Sequence, residues 1–200
     1  MSAWIRMIPD DEADPDLTEA LAGARTPHGT VDNVLRVHSL RPNTMRGHMK
    51  LYKAALHDEA NTLPIWLQEA IASYVSVLNS CDYSFANHWA NARHLIGNEG
   101  RADAIEAALQ ARRLGDVFTG RELALMRYAE KLTLTPGRME ESDVALLRGA
   151  GLDDGEILEA NQIICYFNYV NRSINGLGVT TDGDIVGYYT TSGGDDSDAT

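Results

Sequence analysis

The segment from Gly155 to Asn175 constrains the fold most, because it reads as one helix that is apolar nearly all round. Such a helix has no face suited to water and implies deep burial among other elements. The rest of the chain supplies partners of the same kind. Apolar residues recur at helical spacing from one end to the other, and no stretch carries a strand pattern. The fold class expected is all-α, with about eight helices. Two hundred residues suit one domain with a real core.

Punctuation divides the chain into these helices. Asp16 to Ala22 forms a short one, ended by Gly23 and Pro27. Val31, Val34, Leu35 and His38 share a face, and Pro42 opens a helix striped by Met45, Met49, Tyr52 and Leu56. Thr62 caps and Pro64 begins a helix that runs to Asn79 and buries Leu67, Ile71, Tyr74 or Val75, and Leu78. Ser80 or Asp82 caps the next, which ends at Ile96–Gly97 with Trp89 and Leu95 inward and His94 at the surface. Arg101 to Arg113 follows, with Ile105 and Leu109 on its inner face. Thr119–Glu122 and Asp153–Glu156 read as capping boxes, and Ser142 starts a short helix between them. The domain plan is an N-terminal arm over 1–30, a helical domain over 31–180, and a tail over 181–200. The tail docks by Ile185 and its tyrosines, and its last residues, 190–200, are disordered. The arm is of a kind that packs on a neighbouring subunit.

Charge and composition exclude several function classes. A formal charge of −12 argues against nucleic acid and against anionic membranes. No run of about 18 apolar residues exists to span a bilayer. The start, Met1 to Glu12, turns acidic too soon for a signal peptide, so a cytoplasmic location is expected. The two cysteines, Cys81 and Cys165, form no disulfide framework. Cys165 lies in the apolar run Ile163 to Phe167 and reads as core filler. Cys81 has polar neighbours at a helix start and reads otherwise. His38, His48 and His57 are scattered without metal-ligand spacing, so no metal is expected.

Chemistry concentrates between Glu69 and His88. Two helices meet at Cys81, and Cys81, Ser84 and His88 are spaced i, i+3, i+7 on one face of the second. A thiol at a helix N-terminus feels the positive end of the macrodipole, which favours thiolate. A nearby imidazole and carboxylate can move protons.

Glu69, Cys81 and His88 also fall on the spacing Glu-x11-Cys-x-x-Cys-x-x-x-His. This resembles the signature of the alkylhydroperoxidase D-like and carboxymuconolactone decarboxylase superfamily. Ser84 stands at the second cysteine, and Tyr83 stands where some members have histidine. Phe167–Arg172 with Gly176–Gly178, and Val31–Pro42, resemble further blocks of the peroxidase-related branch. The resemblance covers roughly residues 30 to 180. It implies an AhpD-like helical domain assembled as a homo-oligomer (dimer, trimer or hexamer), with no dissociable cofactor. In the family the cysteine nearer the histidine attacks peroxide, the other resolves it, and glutamate and histidine assist deprotonation. With Ser84 in place of the attacking thiol that cycle cannot run within this site. The resemblance then implies a peroxidase in which Cys81 reduces peroxide and an external thiol reductant resolves it. A second reading is acid–base chemistry by Glu69 and His88 on a small carboxylated or lactone substrate, with Ser84 and Tyr83 as hydrogen-bond donors. A third is a degenerate, non-catalytic relative. Asn168, Asn171 and Arg172 tie helix ends or an interface together, or one of them lines the pocket.

Overall fold

A computed structural model describes residues 2–189. Among them are nine α-helices and no strand: α1 (Pro15–Gly23), α2 (Asn33–Arg36), α3 (Pro42–Leu56), α4 (Ile65–Leu78), α5 (Asp82–Ile96), α6 (Glu99–Ala111), α7 (Gly120–Leu134), α8 (Glu141–Gly149) and α9 (Asp154–Leu177). The all-α expectation holds. The expected end of the tail, 190–200, lies outside the described residues.

The helix at the centre is α4, one of the two that meet at Cys81. Every residue of α4 from Leu67 to Ser76 is buried, because α5, α6, α7 and α9 all pack on it. Ala70, Ala72, Ser73 and Ser76 are small enough to let those neighbours approach on all sides. Ser73 and Ser76 turn their hydroxyls back on the carbonyls of Glu69 and Ala72, so neither needs an outside partner. Ile71, Tyr74 and Val75 anchor the core around them, and burying an aliphatic side chain of this size contributes about 1.5–3 kcal/mol.

Burial of α9 is one-sided, contrary to the all-round burial its composition suggests. Its inner face runs through Ile157, Ile163, Phe167, Val170 and Ile174, while Leu158, Cys165 and Tyr169 are exposed. Neighbours cover only one side of it, so apolar composition alone overstates its burial. Cys165, expected in the core, is therefore a surface residue.

Two of the expected caps are replaced. Thr62 does not cap α4; its backbone N–H and hydroxyl bind the Glu159 carboxylate instead. The Thr119 side chain makes no cap bond on α7. The Asp153–Glu156 capping box does form, and Glu140 with Asp143 makes another on α8.

The arm folds against its own chain. Leu17, Ala20 and Leu21 of α1 join Val31, Leu35 and Met45 in a second, smaller core on α3. The N-terminal residues also fasten the end of α9, where Trp4 N–H bonds the Leu177 carbonyl at 2.8 Å. Gly178 has φ +59°, and a Cβ there would sit 2.1 Å from the Trp4 ring. Glycine is thus required both for the left-handed turn and for the indole packed over it.

Candidate active site

The turn between α4 and α5 builds the site. Ser80 is left-handed at φ 51°, and Cys81 follows as the N-cap of α5 with φ −109° and ψ 87°. Its amide returns to the Ser76 carbonyl at 2.9 Å. Neither Ser80 nor Asp82 is the cap.

This geometry alters the expected face. Cys81 lies just outside the helical φ/ψ of α5, with the Ser84 backbone N–H beside its thiol, and it is not among the residues that line the cavity with Ser84 and His88. It is 1% exposed and belongs to the hydrophobic core. Burial pushes the thiol up to about 11, and the nearby Ser84 backbone N–H opposes this only in part. The expectation of a readily formed thiolate is therefore not met, because burial disfavours the charged form. Polar sequence neighbours gave no measure of that burial.

Ser84 and His88 do share a face, and both line a cavity of about 380 Å³ that Cys81 does not touch. Glu69, fully buried on α4, takes His88 Nδ1 on Oε2 at 2.7 Å and the Asn91 amide on Oε1 at 3.2 Å. The Phe167 ring lies edge-on to the imidazole at 4.5 Å and limits its tilt. A buried carboxylate needs such partners. As acceptor, it keeps the proton on Nδ1 and leaves the lone pair on Nε2. The Ser84 hydroxyl is 2.9 Å from that of Ser76, which Asn171 approaches at 3.3 Å. Asn171 thus supports the floor of the site. Asn168 binds Thr133 and Asn79 and so ties α9 to α7 and to the end of α4, while Arg172 binds Asn168 within α9.

Tyr83 lines the cavity but is not free to serve a substrate. Its hydroxyl donates to Asp184 at 2.6 Å and accepts from the Val34 N–H at 3.1 Å. The tail docks as expected and brings Ile185, Gly187 and Tyr188 to the cavity. Gly187 N–H binds Asn87, and Tyr188 N–H binds Asn91 at 2.6 Å. Asn91 therefore joins the tail to Glu69 and hence to His88. Ser84, Asn87, His88 and Asn91 form a polar stripe at i, i+3, i+4, i+7 on α5, a spacing present in the sequence that the reading of Ser84 and His88 alone passed over.

Other cavity residues have no signal in the sequence. His48 and Tyr52 come from α3, Tyr166 from α9, and His57 and Asp32 from loops. His48 Nε2 lies 2.8 Å from the Tyr166 hydroxyl, and His57 Nε2 lies 2.7 Å from that of Tyr52. Burial pushes His48 down to about 4 and lowers His57, so these imidazoles are neutral near pH 7. Asp32 is pushed up to about 6, first by burial and then by the Asp184 charge, and its buried Oδ1 has no hydrogen-bond partner among the described residues. Among the described residues no three His, Cys, Asp or Glu side chains are grouped to hold a metal ion. None of the described helices is long and apolar enough to cross a membrane.

The helical fold is that of alkylhydroperoxidase D-like structures. Among solved structures, the AhpD core of a peroxidase-related protein from Ralstonia eutropha JMP134 matches with a TM-score of 0.77 at 21% identity, over 92% of this chain and 94% of that one. A peroxidase-related protein from Silicibacter sp. TM1040 matches with a TM-score of 0.78 at 21% identity, over 92% and 93%. The debrominase Bmp8, as a cysteine-to-alanine variant in complex with 2,3,4-tribromopyrrole, matches with a TM-score of 0.72 at 17% identity, over 92% and 94%. No protein-family model matches the sequence, and no curated protein does.

Proposed function

We propose that the protein is an enzyme that moves protons on a small carboxylated ring compound, with Glu69–His88 as its base and the Ser84 hydroxyl as a hydrogen-bond partner of the substrate. One observation carries this reading. His88 and Ser84 line the cavity with Glu69 2.7 Å behind the imidazole, whereas Cys81 lies outside it. A base positioned in this way contributes roughly 10²–10⁴-fold to a proton transfer. Tyr52, Tyr166, Tyr188, Val34 and Leu35 offer flat apolar walls. At the exposed rim Arg25 and Lys53 offer two cations to an anionic group on the ligand, against the carboxylates of Asp58 at the rim and Asp32 deeper in the cavity. The debrominase holds a small flat ring on the same fold, in keeping with a ligand of that size.

Peroxide reduction through Cys81 with an external thiol is the second reading. The Ser84 backbone N–H favours it, since it pulls the thiol downward. Proton NMR in D₂O on a panel of small carboxylated ring compounds and lactones separates the two. The expected result is deuterium uptake or conversion of at least one compound, lost roughly 10²–10⁴-fold in His88→Gln and retained in Cys81→Ser. Turnover that survives His88→Gln, or vanishes with Cys81→Ser, overturns the proposal.

A further inference from the structure

A chain of hydrogen bonds leads from the cavity to the surface on the wall built by α3 and α9. Tyr166 and His48 line the cavity and are both 4% exposed. The Tyr166 hydroxyl is 2.8 Å from His48 Nε2, His48 Nδ1 is 3.2 Å from His38 Nε2, and His38 Nδ1 is 2.8 Å from Thr44 Oγ1. His38 is half-buried and does not line the cavity, and Thr44 is exposed. His38 and Thr44 instead face a separate surface groove with Arg41.

The far end sets the polarity of the whole chain. Thr44 donates its one hydroxyl proton to the Arg41 carbonyl at 2.8 Å, so Oγ1 must accept from His38 Nδ1–H. His38 Nε2 is then a lone pair and accepts His48 Nδ1–H. His48 Nε2 is a lone pair in turn and accepts the Tyr166 hydroxyl. Each ring is bound at both nitrogens, one as donor and one as acceptor, which is the arrangement that proton hopping requires.

We propose that Tyr166, His48, His38 and Thr44 form a proton wire that carries protons from the cavity to solvent during the reaction proposed above, on which this inference rests. In the outward step an acidic O–H or N–H bond of the ligand, other than the bond at which His88 is the base, breaks as an O–H bond forms on Tyr166. The Tyr166 proton passes to His48 Nε2, the His48 Nδ1 proton passes to His38 Nε2, and the His38 Nδ1 proton passes to Thr44 Oγ1 as the Thr44 hydroxyl proton swings from the Arg41 carbonyl and leaves to water. One proton enters and one leaves, and no group changes oxidation state. Burial disfavours a charge on any member: it holds His48 and His38 below, and Tyr166 above, their ordinary pKa values, which favours transfers that move together over a stored charge.

Two measurements test the wire. Long-range proton–nitrogen NMR at neutral pH should find His38 and His48 both protonated on Nδ1 and bare on Nε2. An Nε2–H tautomer on either ring overturns the proposal, whether or not any compound is turned over. The second measurement is deuterium exchange into a converted compound by His38→Leu and by His38→Gln, which keeps hydrogen bonding but cannot relay a proton. Both should fall by ~10-fold or more at low buffer concentration and recover when imidazole is added as a mobile proton carrier. Wild-type rates at low buffer, or a loss that imidazole does not restore, refute the wire. If the wild type converts no compound, the proposed function fails on its own and the tautomers still decide the relay.

Discussion

Reaction of the two thiols with peroxide or iodoacetamide distinguishes a thiol enzyme from an acid–base one. Moving a thiol from 9.0 to about 11 lowers its thiolate fraction at pH 7 about a hundredfold. A more basic thiolate is intrinsically more nucleophilic, which returns about tenfold over that range. Ionisation alone then slows Cys81 by about tenfold relative to an ordinary thiol. At 1% exposure, access through the packed turn slows it further. Cys165 is the internal reference, because burial raises its pKa too but it is exposed. Mass spectrometry of digests after one equivalent of reagent should find Cys165 modified at least about ten times faster than Cys81. The Cys81 rate should also climb about tenfold per pH unit between about pH 7 and pH 10. Cys81 gaining oxygen first, with a rate that levels off below about pH 8, would refute the argument and restore the peroxidase reading.

Four further perturbations test the rest of the structure. Folded Asp32 keeps its proton up to about 6 and the unfolded chain releases it near 3.8, so the wild type loses stability as pH rises through that window. Asp32→Asn should gain about 1 kcal/mol, after allowance for partial exposure, near pH 8 and nothing near pH 4 by urea melts; an equal gain at both counts against the burial argument. Ser84→Cys places a thiol one helical turn from Cys81, and mild oxidation should link the two, read as a loss of two protons by intact mass; two thiols that stay free exclude the turn geometry. Gly178→Ala should cost about 1–2 kcal/mol and shift Trp4 fluorescence, since the new Cβ displaces the indole; an unchanged spectrum and melt would contradict the close contact. Ile71→Ala at the centre of α4 should cost about 3 kcal/mol and lower Tm by about 6–12 °C, and a much smaller loss would mean that α4 is not the hub.

Much of the fold was legible along the chain because caps and stripes are local. Pro42, Gly97 and the Asp153–Glu156 box mark true helix ends, and Met45, Leu67 and Ile105 lie on true inner faces. These features depend on residues three or four apart, which a helix brings together whatever surrounds it. The pairing of Glu69 with His88 was legible only through the family spacing. By periodicity alone Glu69 lies off the apolar stripe of α4, yet it is fully buried because α4 is covered on every side.

What the sequence determined by itself, then, is the helical class, the order of the helices and the presence of Glu69, Ser84 and His88 in one neighbourhood. Tertiary structure alone decided which of the neighbouring groups face the cavity. It turned Cys81 into the core and left Cys165 outside, although their local contexts suggest the reverse. It also gathered His48, Tyr166, His57, Asp32 and Tyr188 from distant segments around one cavity. The physical reason is that hydrogen bonding and periodicity within a helix act over one turn. Burial, desolvation and the meeting of side chains across a cavity depend on which helices pack together, and no single stretch of sequence records that.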